Sequence, residues 1–219
     1  MIYPYKEKNP KISSSAFIAD YVTITGDVTI GEEASIWFNT VIRGDVSPTI
    51  IGDRVNVQDQ CTLHQSPQYP LILEDDVTVG EESSIWFNTV IRGDVSPTII
   101  GNRVNVQDQC TLHQSPQYPL ILEDDVTVGH PVILHSCHIK KDALIGMGSI
   151  ILDGAEIGEG AFIGAGSLVS QGKKIPPNTL AFGRPAKVVR ELTEEDRKDM
   201  ERIRTQYVEK GQYYKSLQK

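Results

Sequence analysis

The sequence has few cysteines, few aromatic residues and no long apolar run. Only 3 cysteines occur in 219 residues, and none forms a C-x-x-C pair, so neither a disulfide framework nor a zinc ribbon is indicated. No apolar run approaches the roughly 18–20 residues that a membrane-spanning helix needs. The N-terminus lacks a basic stretch followed by an apolar one, so we expect no secretion signal and a cytoplasmic protein.

Basic residues are also in deficit. Lys and Arg number 21 against 29 Asp and Glu, which gives a net charge of −8. Because no basic run is present, we expect neither nucleic acid nor a membrane as a partner. The 39% of hydrophobic and 23% of charged residues are typical of a core-forming chain of one domain or two small ones.

A tandem copy occupies the middle of the chain. Residues 31–79 recur as residues 80–128, and across these 49 positions only Ser83 and Asn102 depart from the first copy. So close a match indicates a very recent duplication or an engineered one.

A finer repeat has a period of six residues. An aliphatic residue stands at every sixth position, and a smaller residue often stands two positions before it. The aliphatic series is Ile18, Ile24, Ile30, Ile36, Ile42, Ile51, Val57, Leu63, Leu73, Val79, Ile85, Ile91, Ile100, Val106, Leu112, Leu122, Val128, Leu134, Ile139, Ile145, Ile151, Ile157, Ile163 and Val169. This period predicts very short strands separated by turns, and hexapeptide repeats are typical of an all-β, parallel β-helix with three hexads per coil.

The period is interrupted twice in each copy. Three extra residues at 45–48 and four extra residues around 65–70 are rich in Pro, Ser and Gln, which predicts loops at the corners of the coil. The cysteines lie in the small inward position, so we expect them to be buried, reduced thiols rather than catalytic ones. They are Cys61, Cys110 and Cys137.

The hexad signal stops after Val169. A hydroxyl residue, Thr193, is followed by three acidic residues, which is typical of a helix N-terminus. We therefore predict a β-helix over residues 1–190 and a C-terminal helix over 191–219. The apolar stripe of that helix should pack on the outside of the β-helix or on a neighbouring subunit; it consists of Met200, Ile203 and Tyr207.

Histidines form the one constellation that suggests chemistry. Counting three hexads per coil places His113 and His135 one above the other on the same outward face, roughly 5 Å apart. His130 belongs to another edge of the coil. If three β-helices pack about a threefold axis, the pair of one chain meets the third histidine of its neighbour, and three histidines with an open position form a catalytic zinc arrangement. Plain subunit contacts by these histidines fit the spacing equally well. His138 has no stacked partner, which favours a surface or interface role.

The motifs around these histidines resemble those of a known family. They are Arg92-Gly93-Asp94, Asn105-Val106-Gln107-Asp108, His113, Gly129-His130 and His135. They resemble the γ-class carbonic anhydrases, which are homotrimeric left-handed parallel β-helices with a C-terminal helix. The resemblance covers nearly the whole chain apart from the extra 49 residues.

The resemblance implies a metal site and a reaction. It implies Zn²⁺ held by His113 and His135 of one subunit and by His130 of the next. Fe²⁺ and Co²⁺ also suit imidazole ligands. The implied activity is the reversible hydration of CO2 to bicarbonate by zinc-bound hydroxide.

The resemblance also implies roles for four polar residues. Arg92 and Asp94 would form a salt bridge across the subunit interface. Gln107 would face the zinc-bound water, and Asp108 would be a supporting or interface acid. A network that only stabilises the trimer explains each of these residues equally well.

Two positions depart from the most active family members. Val95 and Pro116 stand where those members carry glutamates on loops thought to shuttle protons, which implies slow proton release and weak activity. Two other functions fit the repeat. One is a hexapeptide-repeat acyltransferase with an interface histidine and no metal requirement, and the other is a non-catalytic trimeric structural protein.

The duplication raises the question of a second site. The first copy carries His64, but Glu81 and Trp86 stand 49 positions before His130 and His135. A lone imidazole is a poor zinc site, so we expect one metal site per subunit interface. Because 49 residues hold seven hexad steps, simple stacking predicts a lengthened helix in which the copies differ by one face, or roughly 120° about the coil axis. The alternative is that one copy bulges out of the coil; if residues 81–129 did so, His64 would replace His113 as the ligand.

Overall fold

The structure is a computed structural model and describes residues 1–64, 78–79, 83–92 and 96–216. The strands are β1 (Ile2–Tyr3), β2 (Lys11–Ile12), β3 (Phe17–Ile18), β4 (Thr23–Ile30), β5 (Ser35–Ile36), β6 (Val41–Ile51), β7 (Asn56–Val57), β8 (Thr62–His64), β9 (Thr78–Val79), β10 (Ser84–Ile85), β11 (Val90–Arg92), β12 (Thr98–Ile100), β13 (Asn105–Val106), β14 (Thr111–His113), β15 (Leu120–Leu122), β16 (Thr127–Val128), β17 (Ile133–His135), β18 (His138–Ile139), β19 (Leu144–Ile145), β20 (Ile150–Ile151), β21 (Glu156–Ile157), β22 (Phe162–Ile163), β23 (Leu168–Val169), β24 (Lys174–Ile175), β25 (Thr179–Gly183) and β26 (Ala186–Glu191). One helix follows, α1 (Glu194–Ser216).

The strands stack into the three faces of a parallel β-helix, which confirms the predicted fold class. The histidine face contains β8, β11, β14, β17, β20 and β23 with the first halves of β4 and β6. The third face contains β9, β12, β15, β18, β21 and β24 with the second halves of β4 and β6. The helix face contains β3, β5, β7, β10, β13, β16, β19, β22 and β25. β26 turns back and pairs antiparallel with β25.

The core is a set of aliphatic columns inside the coil. The hexad residues of the histidine face are fully buried one above another, and they are Ile24, Ile42, Leu63, Ile91, Leu112, Leu134, Ile151 and Val169. Full burial of one such side chain stabilises the fold by about 1.5–3 kcal/mol. The smaller inward residues leave room at the corners, and among them Thr40 and Thr89 bond to backbone carbonyls.

The three cysteines occupy these small inward positions, as predicted. All are buried and free, and the Cys61 thiol donates to the carbonyl of Trp86 at 3.0 Å. Burial raises the pKa of Cys61 and of Cys110 to about 12, and it also raises the pKa of Cys137. Thiols with such pKa values stay protonated at neutral pH and are poor nucleophiles.

The first interruption of the repeat is a bulge in the first copy, at the corner where extra residues are predicted. Residues 45–48 lie within the span of β6, but Gly44 pairs with Gly26 and Thr49 with Val28, so these four residues lie opposite Asp27 alone and bulge out of the β4–β6 ladder. The two strands approach so closely that a Cβ on Gly26 would lie 2.3 Å from the carbonyl oxygen of Gly44. A residue without a side chain is therefore required at this contact. The predicted loop at 65–70 lies outside the described residues.

The predicted rotation of the two copies by one face is wrong. Ile36 and Ile85 lie on the same helix face, because β5 pairs with β7 and β7 pairs with β10. Leu63 lies on the histidine face and Val79 on the third face, which are one face apart along the coil rather than two. The copies are therefore two whole turns apart.

The outward residues explain why hexad counting failed here. An aliphatic residue points inward on every face. The inward pattern therefore fits copies that differ by one face as well as copies that are two whole turns apart. The outward residues differ from face to face. In the observed register, the residue after each inward aliphatic on the histidine face is Arg43, His64, Arg92, His113 and His135 in consecutive coils. Polar residues of the two copies thus form one continuous column.

Helix α1 packs on the helix face through its predicted apolar stripe. The rings of Tyr207 and Trp86 meet edge-to-face with centroids 5.4 Å apart. At the start of the helix, the Thr193 hydroxyl accepts a hydrogen bond from the Asp196 backbone amide, and the Asp196 carboxylate accepts one from the Thr193 amide in return. This reciprocal cap confirms the helix start expected at Thr193.

We predict that either copy can be removed without loss of the fold. Deletion of residues 31–79 and deletion of residues 80–128 leave chains that differ at two positions only. Each coil contacts only its neighbours, and two whole turns are lost, so every remaining outward residue keeps its face. Both chains should give a β-type circular dichroism spectrum and cooperative thermal unfolding. Loss of cooperative unfolding in both would contradict the two-turn register.

We also predict that the thiols do not react in the folded state. At pH 8 an aromatic disulfide reagent should label none of the cysteines in the native protein, because burial keeps them protonated and inaccessible. After unfolding in guanidinium chloride it should label all 3. Rapid labelling of a native thiol would show that one of them is exposed or activated.

Candidate metal centre

Two histidines are stacked on the histidine face. β14 and β17 pair in parallel with His113 opposite His135, and the two ring centroids lie 4.9 Å apart. The His135 Nδ1 lies 3.0 Å from Oδ2 of Asp153, a residue in the turn that follows β20. The strand ladder therefore places two imidazoles within reach of one ion.

A third histidine lies at a different edge of the coil. His130 follows β16, in the turn between the helix face and the histidine face. Its Nδ1 is 3.0 Å from Oδ2 of Asp108, and its Nε2 is 3.4 Å from the hydroxyl oxygen of Tyr207 on α1. Its side chain is 36% exposed.

The two carboxylates orient their imidazoles in the same way. A carboxylate that accepts a hydrogen bond from Nδ1 keeps the proton there and leaves the lone pair on Nε2. A carboxylate behind a histidine is the usual support of a metal ligand in proteins. His130 and His135 thus fit a metal ion in ligand type and in orientation, and His113 fits by its place in the stack.

A single chain does not complete a three-ligand site. Among the residues that the structure describes, no group of three His, Cys, Asp or Glu side chains is arranged to hold a metal. The stacked pair and His130 belong to different edges of one chain, so a shared ion requires a second chain.

The other predicted site residues lie around these histidines. Arg92 is one coil below His113, because β11 and β14 pair in register. Gln107 is buried and lines an open groove of about 340 Å³ beside His130. Asp94 lies outside the described residues, so its pairing with Arg92 stays a prediction.

The first copy shows the equivalent of that pair within one chain. The Arg43 guanidinium binds the Asp45 carboxylate at two points, with Nε–Oδ1 at 3.1 Å and Nη2–Oδ2 at 2.5 Å. The hydrogen bond from Arg43 lowers the pKa of Asp45 despite partial burial, which acts in the opposite direction. A planar guanidinium held in this way is fixed in direction.

His64 has no imidazole neighbour in its column. The residues one coil away from it are Arg43 and Arg92. Glu81 and Trp86, which stand 49 positions before His130 and His135, do not take these places. Glu81 lies outside the described residues, and Trp86 is a buried residue of the helix face. The Nδ1 of His64 is buried and has no hydrogen-bond partner among the residues that the structure describes. The column of the first copy therefore lacks the second imidazole that His135 provides beside His113.

Sequence reasoning missed Asp153 and the position of Tyr207. Step counting gives a signal for Asp153, since Ile151 stacks on Leu134 and Asp153 follows two residues later. Burial raises the pKa of Asp153, but hydrogen bonds from Ser115, from its own backbone and from His135 outweigh this, so the pKa is lowered overall. Burial, and then the charge of Asp108, raises the pKa of Tyr207.

His138 is placed away from the stacked pair. It lies on the third face, and its Nε2 is 2.6 Å from Oε1 of Glu123. This local hydrogen bond agrees with the surface role expected for His138.

Comparison with known proteins identifies the family. The bacterial transferase hexapeptide family (six repeats) matches residues 9–44 and 136–171. A carbonic anhydrase of Geobacillus kaustophilus is 62% identical over 218 residues, which cover 100% of this chain and 93% of the relative. The chain belongs to the γ-carbonic-anhydrase-like family of hexapeptide-repeat proteins. The coil of these proteins is a left-handed β-helix.

One more distant relative and one solved structure are also similar to this chain. The mitochondrial γ carbonic anhydrase 2 of Arabidopsis thaliana is 31% identical over 196 residues, 87% of this chain and 53% of the plant protein. A crystal structure from Bacillus cereus, provisionally named an acetyltransferase, is 73% identical with a TM-score of 0.60 and covers 99% of this chain and 98% of its own.

No helix in the described part of the chain is long and apolar enough to cross a membrane. The cytoplasmic location stays a prediction.

Proposed function

We propose that this protein is a γ-class carbonic anhydrase that hydrates CO2 to bicarbonate at a Zn²⁺ shared between two chains of a homotrimer. His113 and His135 of one chain and His130 of the next would hold the ion. The observation that carries the proposal is the stacked pair with rings 4.9 Å apart, together with a third imidazole at another edge of the same coil.

Apolar side chains are exposed beside both half-sites. Ile133, two residues before His135, is 42% exposed on the histidine face. The groove beside His130 is bordered by Met147, which is 57% exposed, and by Ile203 of α1. Docking an exposed aliphatic face into an apolar groove would bury both and bring the pair to the third histidine. The partner that fits is therefore a second copy of this chain.

The chain's own residues would prepare the site in three ways. Asp108 and Asp153 would hold the proton on Nδ1 of their imidazoles, so that Nε2 carries the lone pair that can bind the ion. Gln107 offers a buried amide beside His130, where it can orient a water molecule or CO2. Arg92, with Asp94, would support the interface next to His113.

Bound zinc, or Fe²⁺ or Co²⁺ in its place, supplies Lewis-acid activation of water toward CO2. The relatives named carbonic anhydrase support this chemistry for the present chain. Val95 and Pro116 provide no ionisable group for proton transfer, so we expect slow turnover.

An acyltransferase is the second candidate. The Bacillus cereus structure with 73% identity carries an acetyltransferase name, and a Bacillus subtilis relative with 58% identity is an uncharacterized transferase. An interface histidine would act there as a general base without a metal. Binding of acetyl-CoA by the metal-free protein would favour this candidate.

The test compares His113→Ala with His64→Ala in the full chain. Wild type and His64→Ala should bind one zinc per chain and hydrate CO2 in stopped-flow measurements. His113→Ala should lose zinc affinity by more than about 100-fold, the upper end of what loss of a ligand-orienting residue costs. Zinc content by atomic emission and trimer mass by light scattering complete the measurement.

Three results would contradict the proposal. A monomeric protein that takes up no divalent cation excludes the shared site. Zinc loss in His64→Ala alone assigns the site to the first copy. Zinc binding without CO2 hydration favours an inherited site on a structural trimer.

A further inference from the structure

We propose that Asp153 is a positioning residue that sets the tautomer and the ring direction of His135 for metal binding. This inference rests on the proposed function. Asp153 lies outside the duplicated segment, in the turn after β20, and its Oδ2 is 3.0 Å from Nδ1 of His135. Both side chains are mostly covered, with 24% and 29% exposed.

Asp153 is itself held in place. A side-chain hydrogen bond from Ser115 lowers the pKa of the Asp153 carboxylate. Ser115 is in turn fixed by Ser136, whose hydroxyl accepts from the Ser115 amide at 2.5 Å and lies 3.0 Å from the Ser115 hydroxyl. Ser136 is buried, and its carbonyl accepts from the Gly154 amide. The carboxylate is therefore anchored to two adjacent coils rather than to a mobile side chain.

This anchoring has a direct consequence for His135. A fixed carboxylate acceptor holds the proton on Nδ1, so that Nε2 keeps its lone pair, and the negative charge makes the imidazole a stronger ligand. An amide at the same place can accept the same hydrogen bond but brings no charge. The effect of Asp153→Asn on metal affinity therefore measures what the negative charge of the carboxylate contributes, because a side chain of the same size remains in place.

The chain offers a matched control. Glu123 binds Nε2 of His138 at 2.6 Å on the third face, away from the stacked pair. Glu123→Gln changes the same kind of histidine–carboxylate pair and the same charge. A general effect of lost charge or lost stability would appear in both variants, whereas a positioning effect would appear in Asp153→Asn alone.

The experiment measures zinc affinity of the full chain by competition with a chromophoric chelator. Asp153→Asn should bind zinc 10–100-fold more weakly than wild type, and Glu123→Gln should match wild type. Ser115→Ala should loosen the Asp153 carboxylate, so its zinc affinity should lie between those of Asp153→Asn and Glu123→Gln. This variant replaces Asp153→Asn in the test if Asp153→Asn does not fold. Nitrogen NMR of the metal-free protein should show His135 with its proton on Nδ1 in wild type and a mixture of tautomers in Asp153→Asn.

The outcomes separate this inference from the proposed function. Wild type that binds zinc, with an Asp153→Asn variant of equal affinity and unchanged His135 tautomer, overturns the inference and leaves the proposed function standing. Wild type that binds no zinc overturns both. Equal weakening in Asp153→Asn and Glu123→Gln assigns the effect to charge or stability and overturns the positioning role.

Discussion

Parallel pairing of each short strand with the strand one coil away is the constraint on which this structure depends. A strand of two residues has almost no stability of its own. It persists because the aliphatic side chains of the coils above and below pack against its inward residue. The inward columns are fully buried along the chain, from Ile24 to Val169 on the histidine face. Stacking also determines which polar side chains lie next to one another, because residues about 20 positions apart become direct neighbours.

The duplication shows how the same constraint tolerates a large insertion. An extra coil adds its own column residues and contacts only its neighbours, so added length need not disturb the rest. In the observed register the outward column alternates Arg43, His64 and Arg92 before it reaches His113. A guanidinium on each side of His64 and an imidazole beside His113 make two copies of one sequence chemically different. Position in the stack, rather than local sequence, therefore distinguishes the candidate site from its duplicate.

The candidate site combines rigid strands with supporting acids. The ladder sets the spacing of His113 and His135, while carboxylates behind His130 and His135 set the direction of two imidazoles. Little further conformational entropy is lost in holding these side chains in place, because the coil has already ordered the backbone that carries them. Under the proposed function, the division of the ligands between two edges of one chain would tie metal binding to association, and association would cover the apolar residues that are exposed beside the histidines.

Sequence alone determined the fold class, the inward residues, the buried thiols, the start of the C-terminal helix and the stacking of His113 on His135. These features follow from a strict period of six and from local capping chemistry, both of which can be counted along the chain. Tertiary structure alone decided the register of the copies, the neighbours of His64 and the partner of His135. Aliphatic residues fit every face equally well, so the period carries no information about which face a hexad occupies. Asp153 becomes a neighbour of His135 only when one coil is laid on the next, and that contact depends on the turns between the strands.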